Sequence, residues 1–231
     1  MAAPLAQNVR QMRGAAAKRG AIWICLVGLP AAYEASNLLS GPRTYYQGDR
    51  YAWFSGLDVR LALTAIGLAA VLWALRRSGE GLVSIGWPKR LRWWEWALCG
   101  LVLVGGVVAV FYHPPSVSVL ELHVPVSTPI TLLERAWLLP LAMAEAVVQE
   151  LVWRGAMITW LEPSVGTGGA VLLSGLSYLF FHPVLGLTWG TLRLALPLVA
   201  LYTLLFLRRR SVGPSAFIHY LLTAGQLLSP V

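Results

Sequence analysis

The stretch 138–160, LLPLAMAEAVVQELVWRGAMITW, places four polar side chains inside a segment that is otherwise apolar enough to cross a bilayer. They are Glu145, Gln149, Glu150 and Arg154. A charged side chain at the centre of a spanning helix costs at least ~2.5–3.5 kcal/mol, so we expect these groups to face other helices or a wet cavity. On a helix, Glu150 and Arg154 are spaced i,i+4, and Glu145 and Gln149 form a second such pair. The stretch therefore predicts a polar wedge within one membrane helix.

Composition indicates a polytopic membrane protein. Of the 231 residues, 57% are hydrophobic and 12% are charged, and the mean hydropathy is +0.65. These values are unusual for a soluble domain. The net charge of +8 comes from basic residues beside apolar runs, where membrane topology explains them. We therefore expect the lipid bilayer, and no nucleic acid, as a partner. Cys25 and Cys99 lie in separate apolar runs and imply neither a disulfide framework nor a metal site.

Seven apolar runs are predicted to form an all-α bundle, a single membrane domain over residues 1–231. A spanning helix needs roughly 20 mostly apolar residues, and seven of them leave no length for a soluble domain. The predicted spans are 21–39, 59–75, 94–112, 137–160, 169–186, 190–207 and 212–229.

Three basic clusters determine the predicted orientation. They lie in residues 1–20, 76–92 and 208–210, and seven spans place all three on one side of the membrane. Because Lys and Arg are enriched in cytoplasmic loops, this side is predicted to be the cytoplasm. The prediction is N-in and C-out, with 1–20 as a basic cytoplasmic leader rather than a cleaved signal peptide. The expected location is the inner (plasma) membrane of a bacterium.

Two further spans carry polar pairs at i,i+4, Tyr178 with His182 and His219 with Thr223. A rise of ~1.5 Å per residue puts Glu150 roughly 15 Å from the inner end of its span, His182 roughly 20 Å and His219 roughly 11–12 Å. One carboxylate and two imidazoles can therefore meet at one level. A carboxylate beside an imidazole can act as a general base on water. A second histidine or a hydroxyl can stabilise a developing oxyanion.

Three segments, in order, resemble the motifs of the CAAX-protease and bacteriocin-processing family, abbreviated CPBP and also called Abi. QELVWRG is similar to its first motif, EExxxR; YLFFH is similar to FxxxH; and HYLLT is similar to His-x-x-x-Asn. The resemblance covers residues 80–228, a protease-family-like core. It implies an intramembrane endopeptidase of the glutamic type that uses no metal and no cofactor. The implied substrate is a peptide or protein segment delivered to the bilayer.

The resemblance also implies roles for individual residues. Glu150 and Arg154 match the second glutamate and the arginine of the first motif. His182 matches the histidine of the second motif, and His219 matches the histidine of the third. In this family a glutamate and a histidine activate water, and the third-motif histidine and its partner help to hold the oxyanion.

Three positions depart from the family pattern. Gln149 stands where the family has its first glutamate, the residue assigned as base, and an amide cannot take a proton from water. Our prediction therefore moves the base to Glu150, with Glu145 as the alternative one turn away. Tyr178 replaces Phe. Thr223 replaces Asn and can still donate one hydrogen bond.

Three other function classes remain open at this point. A catalytically silent family member could act as an immunity or scaffold protein, as Gln149 and Thr223 would allow. Intramembrane Glu and His also mark transporters and proton relays, although the sequence lacks the repeats of many transporters. A zinc hydrolase could take three ligands, but they would come from three helices because no H-E-x-x-H helix is present.

Overall fold

The structure is a computed structural model, which describes residues 2–39, 50–88, 132–181 and 189–228. Within these ranges the regular elements are helical and no strand is present, which confirms the predicted all-α class. The predicted span 94–112 lies outside the described residues, and the number of spans stays a prediction. The helices are α1 Ala2–Trp23, α2 Leu29–Leu39, α3 Arg50–Ser78, α4 Leu132–Glu150, α5 Thr159–Phe180, α6 Trp189–Arg209 and α7 Gly213–Leu228.

Short π-helical segments join two pairs of helices end to end. Ile24–Gly28 connects α1 to α2, and Leu151–Ile158 connects α4 to α5. Two described helical stretches, Gln11–Ser36 and Val59–Ser78, are long and apolar enough to cross a membrane. They overlap the first two predicted spans. The helix that contains the first span begins well before it, at Ala2.

The second π segment forms the centre of the packed core. All eight of its residues, Leu151–Ile158, are buried. The Trp153 ring packs 4.8 Å from the Phe181 ring and 5.6 Å from the Tyr178 ring, between centroids. A Cβ on Gly155 would lie 2.5 Å from the carbonyl oxygen of Ile85. Only glycine therefore allows the turn after α3 to approach this segment so closely.

Two serines of α5 hydrogen-bond to carbonyls in the π-helical regions. Ser174 Oγ donates to the carbonyl of Trp153 at 2.5 Å. Ser177 Oγ donates to the carbonyl of Cys25 at 3.0 Å and accepts from Trp153 Nε1 at 3.0 Å. Irregular helices are tolerated at membrane depth where side chains satisfy the backbone groups that the irregularity releases. The two hydroxyls thus stabilise both π segments.

We expect Ser177→Ala to destabilise the protein, because it leaves a buried indole N–H and a buried carbonyl without partners. Each such group costs about 1–3 kcal/mol. Thermal unfolding of the purified protein in detergent micelles would measure the loss. Ser84→Ala is the control, because Ser84 is exposed and its hydroxyl bonds to Glu80 and Gly81 in its own turn. Equal melting temperatures for the two variants would show that the Ser177 bridge does not contribute.

Several connections between helices lie at one end of the bundle. Lys18 forms an ion pair with Glu80, just after α3, and its ammonium also lies 5.8 Å from the centre of the Trp160 ring. Close by in sequence, Glu162 accepts two hydrogen bonds from Arg210, at 2.5 and 2.7 Å. An ion pair therefore joins the segments of the first two basic clusters, and another joins the third cluster to α5.

The ion pair between Glu162 and Arg210 joins the start of α5 to the turn after α6. Hydrogen bonds from Arg210 and then from Thr167 lower the pKa of Glu162 to about 2. Because this pKa lies below the ordinary value of 4.5, the pair stabilises the fold at neutral pH. That contribution begins to fall below about pH 4.5 and is lost as the pH falls through about 2.

Candidate active site

Glu150 ends α4 at the point where the π segment begins, and it is 0% exposed. Its Oε1 accepts from Arg154 Nη1 at 3.0 Å and lies 3.1 Å from His219 Nδ1. Its Oε2 makes no hydrogen bond of ordinary geometry among the described residues, and the nearby hydroxyl of Ser215 donates instead to the carbonyl of Val212 at 3.0 Å. The predicted pair of Glu150 and Arg154 is thus present, and the third-motif histidine of α7 joins it.

Arg154 is held between two aromatic rings. Its guanidinium carbon lies 4.0 Å from the centre of the Tyr178 ring and 5.3 Å from that of Tyr202. Arginine stays charged in proteins, and a desolvated guanidinium over a ring face gains about 2 kcal/mol. Because a buried cation needs an anionic partner, Arg154 pairs with the carboxylate of Glu150. Breaking such a buried pair on one side costs about 3–5 kcal/mol.

His219 links the carboxylate to a tyrosine hydroxyl. Its Nε2 lies 3.2 Å from Tyr178 Oη, and its ring stacks on Tyr202 at 5.1 Å and 19°. Since an ionised carboxylate can only accept, His219 donates from Nδ1 to Glu150, and its Nε2 faces the tyrosine hydroxyl. Arg154, Glu150, His219 and Tyr178 therefore form one continuous buried network.

A second buried cluster surrounds the other predicted pair. Gln149, 1% exposed, donates from Nε2 to Glu145 Oε1 at 2.8 Å. Arg60 of α3 contacts both oxygens of the same carboxylate. Its Nε lies 2.5 Å from Oε1, and its Nη2 donates to Oε2 at 3.1 Å. Sequence analysis missed Arg60 as a site residue. The available signal was an arginine at the start of a predicted span, opposite an unexplained intramembrane acid.

Two of the predicted site residues, Thr223 and His182, are not seen in this network. Thr223 Oγ1 donates to the backbone carbonyl of His219 at 3.1 Å, within its own helix, and not to a side chain of the network. His182 lies outside the described residues, so its place beside Glu150 stays a prediction. The described ranges hold no group of three metal-ligating side chains, and the three-ligand zinc alternative would itself require His182.

The arrangement leaves two buried acceptors on consecutive residues. Glu150 Oε2 and Gln149 Oε1 both lack a hydrogen-bond partner within the described part of the chain. Buried polar atoms are nearly always satisfied, so two such acceptors side by side need an explanation, such as an ordered water or a catalytic role. Water or a peptide N–H is the simplest donor for a site of this kind. The network can therefore accept a proton at a carboxylate that also contacts His219.

Residues 131–225 match the family model described as Type II CAAX prenyl endopeptidase Rce1-like. This match confirms the resemblance drawn from the three motifs. Neither the curated proteins nor the solved structures contain a significant match to the chain. By position, the matched segment includes Glu145, Glu150 and His219, whereas Arg60 lies outside it.

Proposed function

We propose, from the family match at residues 131–225 and the contacts of Glu150, that this protein is a glutamic-type intramembrane endopeptidase. It cleaves a peptide or protein segment delivered to the bilayer. One observation carries the proposal: a fully buried carboxylate with one open oxygen, Oε2, is tied through Oε1 to Arg154 and His219. Such a carboxylate can accept a proton from water without losing the partners that hold it.

Hydrolysis then proceeds by addition and collapse. Water gives a proton to Glu150 Oε2 while its oxygen forms a bond to the scissile carbonyl carbon, and the carbonyl electrons move to oxygen. His182 shares the activation of water. When the carbonyl re-forms, the C–N bond breaks and the proton on Glu150 passes to the leaving nitrogen. A donor hydrogen bond to the oxyanion stabilises the intermediate, and we assign this role to His219 with Tyr178 beside it.

A farnesylated peptide with a C-terminal CAAX sequence is the first substrate class to test, because the family description names a CAAX prenyl endopeptidase. Double-glycine leader peptides and C-terminal sorting tails are the other classes that the resemblance implies. The purified full chain in lipid vesicles should release the C-terminal fragment of a suitable peptide, detected by mass spectrometry. Deleting the chain from cells should change the termini of its substrates in the same way.

Cleavage is expected to survive EDTA and phenanthroline, because the proposed base is a carboxylate and no metal takes part. Loss of cleavage with a chelator, restored by added zinc, would favour the zinc hydrolase instead. Absence of cleavage of all three peptide classes, with unchanged termini in cells that lack the chain, would favour a silent scaffold.

The orientation is also proposed as N-in and C-out, on the basis of the three basic clusters. A reporter that is active only outside the cytoplasm should give signal when fused to Val231 and none when fused after Arg210. The opposite pattern would reverse the orientation, and it would place the basic loops outside the cell.

A further inference from the structure

We propose that Arg60 is a positioning residue for the active site: it fixes the amide of Gln149 through Glu145, so that the amide oxygen faces the reactants. This inference rests on the proposed function and deepens it. It also gives a role to Gln149, the position where the chain departs most from the family motif.

The first step is the charge state of Glu145. Arg60 contacts both of its oxygens, with a hydrogen bond from Nη2 to Oε2 and an ion-pair contact of Nε with Oε1. Glu145 is buried and Arg60 is partly buried. A paired carboxylate in this position is ionised and acts only as an acceptor.

The second step is the orientation of Gln149. An amide can present either NH₂ or oxygen to a neighbour, and the hydrogen-bonding groups around it decide which. Beside an ionised Glu145 only the NH₂ makes a hydrogen bond, observed at 2.8 Å. The amide oxygen must then point elsewhere, and it is a buried acceptor without a partner among the described residues.

The third step is what this oxygen does. In the family motif this position holds a glutamate, the residue assigned as base. An oriented amide oxygen can accept from water, or from a substrate N–H, but it cannot take the proton. It would hold the water while Glu150, the next residue, removes the proton. If Glu145 lost its charge, the amide could turn and present NH₂, which repels the donor.

The ion pair of buried Glu145 and partly buried Arg60 is by itself weak evidence for a role in stability. Replacing a buried ion pair by well-packed apolar residues is often neutral or stabilising. The pair also joins α3, outside the family segment, to the turn of α4 that holds the proposed base. Both points favour a positioning role over a purely structural one.

The test is Arg60→Gln in the full-length protein in lipid vesicles, with a cleavable farnesylated CAAX peptide as probe. We expect kcat to fall about 10- to 100-fold, as for other residues that orient a group in contact with reactants, with KM little changed. Arg60→Lys should restore part of the rate, because an ammonium still keeps Glu145 ionised. Arg76→Gln, which removes an exposed charge from the same helix, should leave kcat unchanged.

A double-mutant cycle separates positioning from stability. In a Gln149→Leu background the amide is absent, so Arg60→Gln should cost little more. An equal loss of rate in both backgrounds would overturn the inference. If the Arg60→Gln protein fails to accumulate, the Arg60→Lys variant carries the same cycle.

The outcomes also separate this inference from the proposed function. A wild-type rate for Arg60→Gln, while Glu150→Gln is inactive, overturns the role of Arg60 alone. A protein that cleaves no peptide, or that cleaves equally well after Glu150→Gln, overturns both.

Discussion

Glu150→Gln is expected to lower kcat by about 10²–10⁴-fold, the range that a general base contributes, while the protein still accumulates in the membrane. The amide keeps the size of the side chain and can still accept a hydrogen bond at the position of Oε1. It has no basic form, so water keeps its proton. The measurement is the rate of peptide cleavage by equal amounts of folded wild-type and variant protein.

Glu162→Gln is the matched control, because Glu162 is an acid on the next helix that bonds Arg210 and Thr167 away from the network. It should leave the rate unchanged. Glu145→Gln should reduce the rate by much less than Glu150→Gln, because it disturbs only the orientation of the Gln149 amide. If Glu150→Gln cleaves at nearly the wild-type rate, the base is not Glu150, and Glu145 becomes the candidate.

His219→Ala is expected to cost about 10²–10³ in kcat, the loss measured when an oxyanion donor is removed. The change removes the ring between Glu150 and Tyr178 and the stacking partner of Tyr202. The same cleavage assay measures the effect, with circular dichroism to verify the helix content.

Tyr178→Phe separates the chemistry of His219 from its packing. It restores the residue of the family motif and removes only the hydroxyl that contacts Nε2. We expect a smaller loss than for His219→Ala. If the two variants lose the same activity, the hydroxyl and not the imidazole is the essential group, and the assignment of the oxyanion donor changes.

The sequence alone predicted that Glu150, Arg154 and His219 lie together, because spacing along a helix and depth within a span can be counted from the sequence. Glu150 and Arg154 are four residues apart, and they form the expected pair. His219 was placed near them by counting residues along a separate span, and the two side chains are in contact. The extent of α1 was missed, although Ala, Arg, Lys and Gln in residues 2–20 are all good helix formers.

The π segments and the contact of Arg60 with Glu145 were not predictable from the sequence. A π turn shifts backbone hydrogen bonds by one residue and appears where tertiary partners accept the released groups, as the two serines of α5 do here. Which helix lies against Glu145 depends on how the spans pack. Apolar periodicity says little about neighbours when lipid and protein interior are equally apolar.

Residues 2–88 contact the candidate site, and these contacts decide which part of the chain must be moved to graft the site into another protein. The carbonyl of Cys25, the guanidinium of Arg60 and the turn at Ile85 each touch the helices that carry the family motifs. A graft limited to residues 131–225 would lack all three. The segment that matches the family model is therefore shorter than the part of the chain that packs together around the site. Chimeras with proteins that match the same family model should exchange residues 2–88 and residues 131–225 together.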